Sequence, residues 1–236
     1  MSPVRDTALA ALVPVERLLR DADPAHVPDL LEVRAELEGI AGRTVTRGRA
    51  ARFLGLTQTS IDRWIADGAI PSVLDPAGRT VVPTRELVRL RLEVDAEREA
   101  GSRRPLGRVV RRRRAAAAAV PIEGLIRDVD AVPVGHRQAE VADLLVHRLI
   151  ARRLSPREIA VARWQLERAH AAGELHSHWH AAWREVLDGG EERVREVLTA
   201  DAPEAASLRQ TSPFKGRLGH EERRRAFAVL RERVSA

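Results

Sequence analysis

Cysteine, tyrosine and asparagine are absent from this 236-residue chain, and aromatic side chains make up only 3% of it. Without cysteine the chain has no disulfide framework, no thiol nucleophile and no cysteine-ligated metal site. The aromatic residues are four Trp and three Phe, so the core has to be built from Leu, Val, Ile and Ala. This composition favours packed helices over a β-sandwich, because strands draw on aromatic and β-branched residues.

Long apolar runs are absent as well. The longest, over residues 8–13 and over the alanine-rich stretch 115–120, have six residues each, far short of the roughly 20 residues that cross a bilayer. The N-terminus carries Arg5 and Asp6 in a broken apolar pattern, which is not typical of a signal peptide. The sequence therefore predicts a cytoplasmic protein with no membrane partner.

Lysine is nearly missing, since 39 of the 40 cationic residues are Arg. This bias is typical of a GC-rich genome, so the number of arginines is weak evidence for nucleic-acid binding, and their position matters more. Residues 44–114 hold 16 Arg and eight acids, a net charge of +8, while the other 165 residues sum to −2. A local excess of this kind indicates contact with a phosphate backbone; a solvated charged face is the alternative.

Four segments are predicted from composition and breaks in the helical pattern. They are an N-terminal helical segment (1–43), a DNA-binding domain (44–100), a basic linker or helix start (101–119) and a C-terminal helical domain for oligomerisation or partner binding (120–236). Residues 13–23 and 120–130 are identical at seven of eleven positions. This similarity indicates a helix and turn used twice, with chance similarity as the alternative.

Two short helices separated by a glycine turn are predicted within residues 44–92. Thr46 is placed to cap a first helix over Arg47–Leu54, and Gly55 supplies the backbone of a tight turn. Thr57 then caps a second helix, for which Gly68 is a left-handed stop. Together they make a helix-turn-helix. The apolar positions predicted to be buried are Ala50, Ala51, Leu54, Ile61 and Ile65.

The exposed start of the second helix is where a recognition helix presents side chains to base edges. The predicted DNA-contacting residues here are Gln58, Thr59, Ser60 and Arg63. Gln and Arg make bidentate contacts with adenine and guanine, whereas the helix N-terminus and the hydroxyl groups suit phosphate. Arg47 and Arg49, on the first helix, are predicted to contact phosphates.

A hairpin is predicted after the second helix. Residues 70–74 and 79–82 are strand candidates around a Pro/Gly turn. Arg79 at the tip, with Thr80 beside it, is predicted to contact phosphate or the minor groove. Thr84 then starts a further helix.

The segment resembles the winged-helix DNA-binding family of excisionase and MerR type. The resemblance is carried by residues 50–57 (AARFLGLT), 60–65 (SIDRWI), Gly68, 70–71 (IP) and 79–83 (RTVVP). It covers about 50 of the 236 residues, with helix, turn, helix, wing and closing proline in family order. It implies a mainly α fold, with a winged helix-turn-helix and a two-stranded β-hairpin wing between helical flanks, and sequence-selective DNA binding. An ordinary helical hairpin with a solvated charged face is the alternative.

The C-terminal part resembles antitoxins of actinobacterial PIN-domain toxin–antitoxin pairs. The residues that carry this resemblance are 183–189 (WREVLDG) and 208–218 (LRQTSPFKGRL). It implies that the tail contacts a toxin through Leu208, Phe214 and Leu218, with Phe214 as an apolar anchor. The alternative is a loop between core helices that a buried Phe214 holds in place.

Catalytic and metal-binding motifs are not found in the sequence. His176 and His180 share a helix face, but HExxH does not occur, so no metal and no cofactor are predicted. Phosphate-loop, dinucleotide-binding and nucleophile-elbow motifs do not occur either, and no enzyme is predicted. We expect a transcriptional regulator that binds double-stranded DNA as a homodimer and associates with the nucleoid, with autoregulating antitoxin as a favoured role. The alternatives are an excisionase-like architectural or recombination-directionality protein and a protein-interaction adaptor.

Overall fold

Helices make up 74% of the chain in a computed structural model that describes residues 3–119, 122–126 and 136–235. This confirms the mainly α prediction, and one small three-stranded sheet accompanies the helices. No helix in those three ranges combines the length and apolar character needed to span a membrane. The chain divides into two compact units, residues 1–113 and 114–236.

The first unit contains five complete helices, three strands and most of a sixth helix. Its elements are α1 (Pro3–Asp21), α2 (Val27–Ala41), β1 (Thr44–Thr46), α3 (Arg47–Leu54), α4 (Gln58–Ala66), β2 (Val73–Leu74), β3 (Thr80–Pro83), α5 (Thr84–Glu99) and the start of α6 (Pro105–Ala118). A single 3₁₀ turn at Pro24–His26 joins α1 to α2.

The N-terminal helices share a core with the predicted DNA-binding segment. Apolar residues of α1 recur at helical spacing, and Leu9, Leu12 and Leu19 are buried. Helix α1 packs on α2 and α5. One continuous apolar cluster includes Leu12, Val45 and residues of α3 to α6. Residues 1–43, which the sequence analysis treats as a separate segment, therefore help to support α3 and α4.

The sheet has one strand more than the predicted hairpin. Strand β3 lies in the centre, with β1 and β2 antiparallel on either side, so that Val45 is opposite Val82 and Val73 opposite Val81. Strand β2 is shorter than predicted. Ile70, which was predicted to belong to this strand, is buried outside it. Its amide donates to the Trp64 carbonyl at 3.1 Å, so it provides a hydrogen bond for the C-terminal end of α4 and does not pair with another strand.

Residues 101–119, for which helix and flexible arm were both open, contain helix α6. Leu106, Val109 and Val110 are buried in the core of the first unit, which gives this basic segment a fixed position. Burial acts to raise the pKa of Glu93 in α5, but hydrogen bonds from the Arg113 and Arg112 guanidinium groups leave that pKa lowered. Much of the charge of the segment is thus neutralised within the unit.

The described residues of the second unit, 114–119, 122–126 and 136–235, form helices and no strand. They are the end of α6, α7 (His136–Ala151), α8 (Pro156–Ala171), α9 (Ser177–Asp188), α10 (Gly190–Thr199), α11 (Pro203–Gln210) and α12 (His220–Ser235), with a 3₁₀ turn at Ile122–Ile126. Of the two similar sequences, 13–23 begins inside α1. Most of 120–130 lies outside the described residues, so the predicted helix and turn can be followed in the first copy only.

Helix α8 begins with a side-chain cap at Ser155, in a sequence, Ser155-Pro156-Arg157-Glu158, that is typical of a capping box. The Ser155 hydroxyl accepts a hydrogen bond from the Glu158 amide at 3.3 Å, as an N-cap does. The Glu158 carboxylate does not complete the capping box, since it accepts two hydrogen bonds from Arg217, each of 2.7 Å. In α12, Leu230 is buried whereas Phe227 is exposed.

A histidine of the second unit, His147, is fully buried. Burial lowers the pKa of His147, and the charges of Arg209 and Lys215 lower it further, against the opposing effect of Asp143. The ring Nδ1 lies 2.7 Å from the Asp143 carbonyl oxygen. Nε2 is buried without a hydrogen-bond partner among the described residues, which suits an unprotonated nitrogen.

We expect acid to destabilise this unit through His147. In the unfolded chain the ring takes up a proton below about pH 6.5, whereas the folded state resists it, so the stabilisation is lost as the pH falls. Urea unfolding of a Trp64→Phe chain measures this, because the remaining tryptophans, Trp164, Trp179 and Trp183, all belong to the second unit. In a further His147→Leu variant the free energy of unfolding should fall less steeply with acid. Parallel pH profiles for the two chains would contradict the assignment.

Candidate nucleic-acid interface

Helices α3 and α4 are joined by a three-residue turn whose geometry depends on Gly55. Its φ of 68° lies in the left-handed region that glycine adopts without strain. The Gly55 and Leu56 amides donate to the Arg52 and Ala51 carbonyls at 3.1 and 2.9 Å, which closes the end of α3. Ala51 and Ile61 are buried between the helices.

Most of the predicted helix boundaries are confirmed. Helix α3 spans Arg47–Leu54 as expected, although Thr46 makes no side-chain capping hydrogen bond. The Thr57 hydroxyl caps α4 by accepting from the Ser60 amide at 3.2 Å. Gly68 has a φ of 67° just after α4. Ile65 is only partly buried, whereas the other four predicted core residues of the pair are fully buried.

The first turn of α4 presents two of the predicted residues to solvent, Gln58 and Thr59. Ser60 is half-buried, and its hydroxyl shares a 2.9 Å hydrogen bond with that of Thr57. A Cβ atom on Gly48 would lie 3.2 Å from Gln58 Oε1, so the glycine leaves room for the Gln58 side chain beside α3. The carboxamide is therefore held at the surface of the helix pair.

Arg63 is exposed one turn further along α4. Its guanidinium carbon lies 5.9 Å from the centre of the Trp64 ring, within range of a cation–π contact. No carboxylate of the described ranges pairs with it. Arg63 is thus a free cation on the same helix as Gln58 and Thr59.

The two arginines of α3 are engaged inside the unit. Arg47 donates to Asp62 at 2.9 Å and ties the start of α3 to α4, while its side chain remains 43% exposed. Arg49 donates to Asp6 of α1 at 2.6 Å, and its side chain is only 14% exposed. Because Arg49 is mostly buried and an internal carboxylate balances its charge, a phosphate contact there would compete with Asp6, and that contact stays a prediction.

The hairpin tip is closed by a residue that the sequence analysis did not single out, Asp75. Its carboxylate accepts from the Ala77 amide at 3.0 Å and from the Arg79 amide at 2.9 Å. The Arg79 side chain, 73% exposed, also donates to Asp75 at 2.8 Å. The hydrogen bond from that side chain, together with the one from the Arg79 amide, lowers the pKa of Asp75. Thr80 is half-buried in β3 beside this pair.

Further basic residues lie near α4 that sequence reasoning had not placed there. Arg103, Arg104 and Arg111, just before and within α6, line the same surface cavity as Ser60 and Arg63. None of the three pairs with a carboxylate in the described part of the chain. The three arginines belong to residues 44–114, where the sequence has its excess of positive charge. Their position beside α4 follows from the packing of α6 against the core, which the sequence does not reveal.

The predicted toxin-contacting residues are not arranged as a surface anchor. Phe214 is fully buried against Trp183, with ring centres 6.0 Å apart. Leu218 is buried in a second cluster, and Leu208 is partly buried and accepts a hydrogen bond from Trp183 Nε1. The burial of Phe214 matches the alternative of a loop held by a buried aromatic ring, and contact with a toxin through these residues stays a prediction.

The histidines of α8 and α9 form a stacked pair. The His170 and His180 rings are 4.1 Å apart and nearly parallel, and His180 Nε2 lies 3.0 Å from a Glu167 oxygen. Among the described residues no three His, Asp or Glu side chains converge on a point that could hold a metal ion. The pair holds α8 against α9.

Comparison of the whole chain with family models, with curated proteins and with solved structures gives no match.

Proposed function

We propose that this chain is a sequence-specific DNA-binding transcriptional regulator, and that α3, α4 and the β2–β3 hairpin act as a winged helix-turn-helix. The observation that carries the proposal is the exposed face of α4, where Gln58, Thr59 and Arg63 point away from the core. Side chains of these types read base edges in the major groove.

The pairing of the arginines with carboxylates supports the proposal that the exposed face of α4 contacts DNA. Arg47, Arg49 and Arg79 have internal carboxylate partners. Arg63 has no such partner within the described ranges, so a phosphate or guanine contact requires no ion pair to be broken. In this proposal Gln58, Thr59 and Arg63 contact bases, Ser60 supports the helix start, and Arg47 and Arg79 give secondary backbone contacts.

A single recognition helix contacts few base pairs, so we propose that two copies bind adjacent half-sites. Selection from a pool of duplexes with a random central sequence tests both statements. We expect one enriched motif, with two copies of a half-site separated by a whole number of helical turns. No enrichment over the starting pool would contradict sequence-specific binding. Enrichment of an unrepeated half-site would contradict the paired arrangement alone.

Autoregulation is tested with the duplex that lies upstream of the chain's own coding sequence. We expect a gel shift there that weakens steeply with salt, because phosphate contacts release counterions. A scrambled duplex of equal composition is the control. Equal binding to both duplexes would argue for a general DNA-packaging role.

The Arg79–Asp75 pair gives a separate prediction about the hairpin. Asp75→Asn keeps an oxygen that accepts hydrogen bonds from the loop amides but removes the charge that balances Arg79. We expect tighter binding to the scrambled duplex, with a salt dependence steeper by about one counterion. Arg79→Ala is expected to weaken binding only slightly, since Asp75 already neutralises this cation. A large loss with Arg79→Ala would mean that DNA displaces Asp75.

A further inference from the structure

A cavity of about 560 Å³ opens on the first unit between the end of α3, α4, α5 and the start of α6. This volume falls in the range of about 300–1,000 Å³ that small-molecule sites occupy. One part of its wall is apolar, with the Trp64 ring, Leu54, Val94 and Leu106. The other part is basic and contains five arginines, Arg63, Arg98, Arg103, Arg104 and Arg111.

The positive charge of this wall is not neutralised within the unit. Arg98 donates to Asp95 at 2.9 Å and to the Leu54 carbonyl at 2.7 Å, so it is held in place. The other four arginines meet no carboxylate in the described ranges, and no acidic side chain lines the cavity. Like charges beside a low-dielectric wall raise the local potential and attract an anion.

The arginines in and beside α6 divide into two groups, one paired with carboxylates and one that lines the cavity. Arg108, Arg112 and Arg113 belong to the same helix but pair with Glu93 and Glu97 of α5. Gly107 and Arg111 of α6, together with Arg104 just before the helix, line the cavity instead. One face of α6 is therefore a structural salt-bridge network, and the other presents guanidinium groups to the cavity.

We propose that this cavity binds a small organic anion with an apolar body. The body would lie against Trp64, Leu54 and Leu106, and a carboxylate, sulfonate or phosphate head would meet Arg103 and Arg104. Guanidinium groups present paired donors that fit such heads in a bidentate manner. A DNA phosphate is a poorer occupant, because it has no apolar part to cover the tryptophan wall.

The cavity shares Ser60 and Arg63 with the exposed face of α4. On the proposed DNA-binding function, an anion held here would compete with DNA for Arg63 and act as an effector that releases DNA. The binding site itself does not depend on that function.

The first test uses no DNA. Binding of 8-anilinonaphthalene-1-sulfonate, an aromatic anion that fluoresces on leaving water, is titrated on the full chain. We expect one site per chain, displaced by decanoate but not by 1-decanol at equal concentration. In Arg103→Gln/Arg104→Gln we expect at least about tenfold weaker binding, since hydrogen bonds to charged groups are lost. The matched control is Arg17→Gln/Arg20→Gln, which removes two exposed arginines of α1 and should leave the affinity within about twofold.

A second variant keeps every charge and fills the space. A Cβ atom on Gly107 would meet only Arg111 Nη1, at an ordinary 3.7 Å, and helix α6 accepts leucine readily. Gly107→Leu should therefore fold normally and still abolish binding of the probe. If neither this variant nor the double glutamine variant weakens binding, or if 1-decanol displaces the probe as well as decanoate, the site is wrong.

The link to DNA is measured separately, with the duplex selected for the native chain. Decanoate should weaken DNA binding of the native chain and have no effect on Gly107→Leu. Anion binding without any change in DNA affinity would overturn the effector role and leave the site intact. Absence of selective DNA binding, with anion binding retained, would overturn the proposed function alone.

Discussion

Replacing Arg63 with alanine is expected to weaken binding of the selected duplex by about 5- to 150-fold, which corresponds to about 1–3 kcal/mol. The guanidinium group stands on the exposed face of α4, lies 5.9 Å from the centre of the Trp64 ring and pairs with no carboxylate of the described residues. Desolvating it at a base edge or phosphate therefore breaks no internal ion pair. Fluorescence anisotropy with a labelled duplex measures the change.

The same experiment distinguishes a base contact from a phosphate contact. If Arg63 reads guanine, the variant loses affinity for the selected duplex but little for a scrambled one. If it meets phosphate, both affinities fall, and the salt dependence decreases by about one counterion. Arg17→Ala on α1 is the control, since it removes an equally exposed charge from another surface. Equal effects of the two substitutions would show that only net charge matters and that α4 is not the reading helix.

The fold of the variant is expected to be intact. Exposed substitutions of this kind change stability by no more than about 0.5 kcal/mol. Thermal unfolding should therefore coincide with that of the native chain, and a lost gel shift can then be assigned to the interface rather than to unfolding.

The helix pair was predictable because its determinants are local. Thr57 lies three residues before the amide that it caps, and Gly55 and Gly68 mark turns that need a positive φ. Each of these signals lies within one helical turn of the feature it determines. Strand β1 was not predicted, because its partner β3 lies far along the chain, and the alternation of Thr44, Val45 and Thr46 is too short to distinguish a strand from other structure.

The division of the arginines into paired and free could not be read from the sequence. Arg49 finds Asp6 at a separation of 43 residues, and Arg113 finds Glu93 at 20. Charge counting gave the same weight to each of these cations and to Arg63, Arg103 and Arg104. Only the packing of α1 and α6 against the common core decides which carboxylates lie within reach. The local excess of charge was real, but the free part of it lies beside α4 and at the start of α6.

The two phenylalanines of the second unit show the same limit. Phe227 lies at helical spacing from Leu230, yet it is 42% exposed, while Phe214 lies in a loop and is fully buried. Helix α12 turns Ala226 and Leu230 inward instead. Which apolar face of a helix meets a core depends on neighbours that are distant in sequence, so spacing alone could not choose between them.

Phe214→Ala is expected to destabilise the second unit by about 3–5 kcal/mol, as truncation of a buried aromatic residue does. The ring packs on Trp183, whose Nε1 donates to the Leu208 carbonyl at 3.1 Å, so its loss leaves a cavity beside a hydrogen-bonded indole. Urea unfolding in the Trp64→Phe background reports on this unit alone. Such a loss is a large part of the stability of a typical domain.

Phe227→Ala provides a matched control, because it removes the same side chain from an exposed position of the same unit. It should change the free energy of unfolding by no more than about 0.5 kcal/mol. The contrast also decides how the tail can act on a partner. If Phe214 served as an exposed anchor for a toxin, its removal would leave stability unchanged and weaken only the complex. A Phe214→Ala chain of unchanged stability would therefore favour a role of Phe214 in partner binding. A destabilised chain would show that this ring belongs to the core, and a partner surface would then have to include exposed residues such as Phe227.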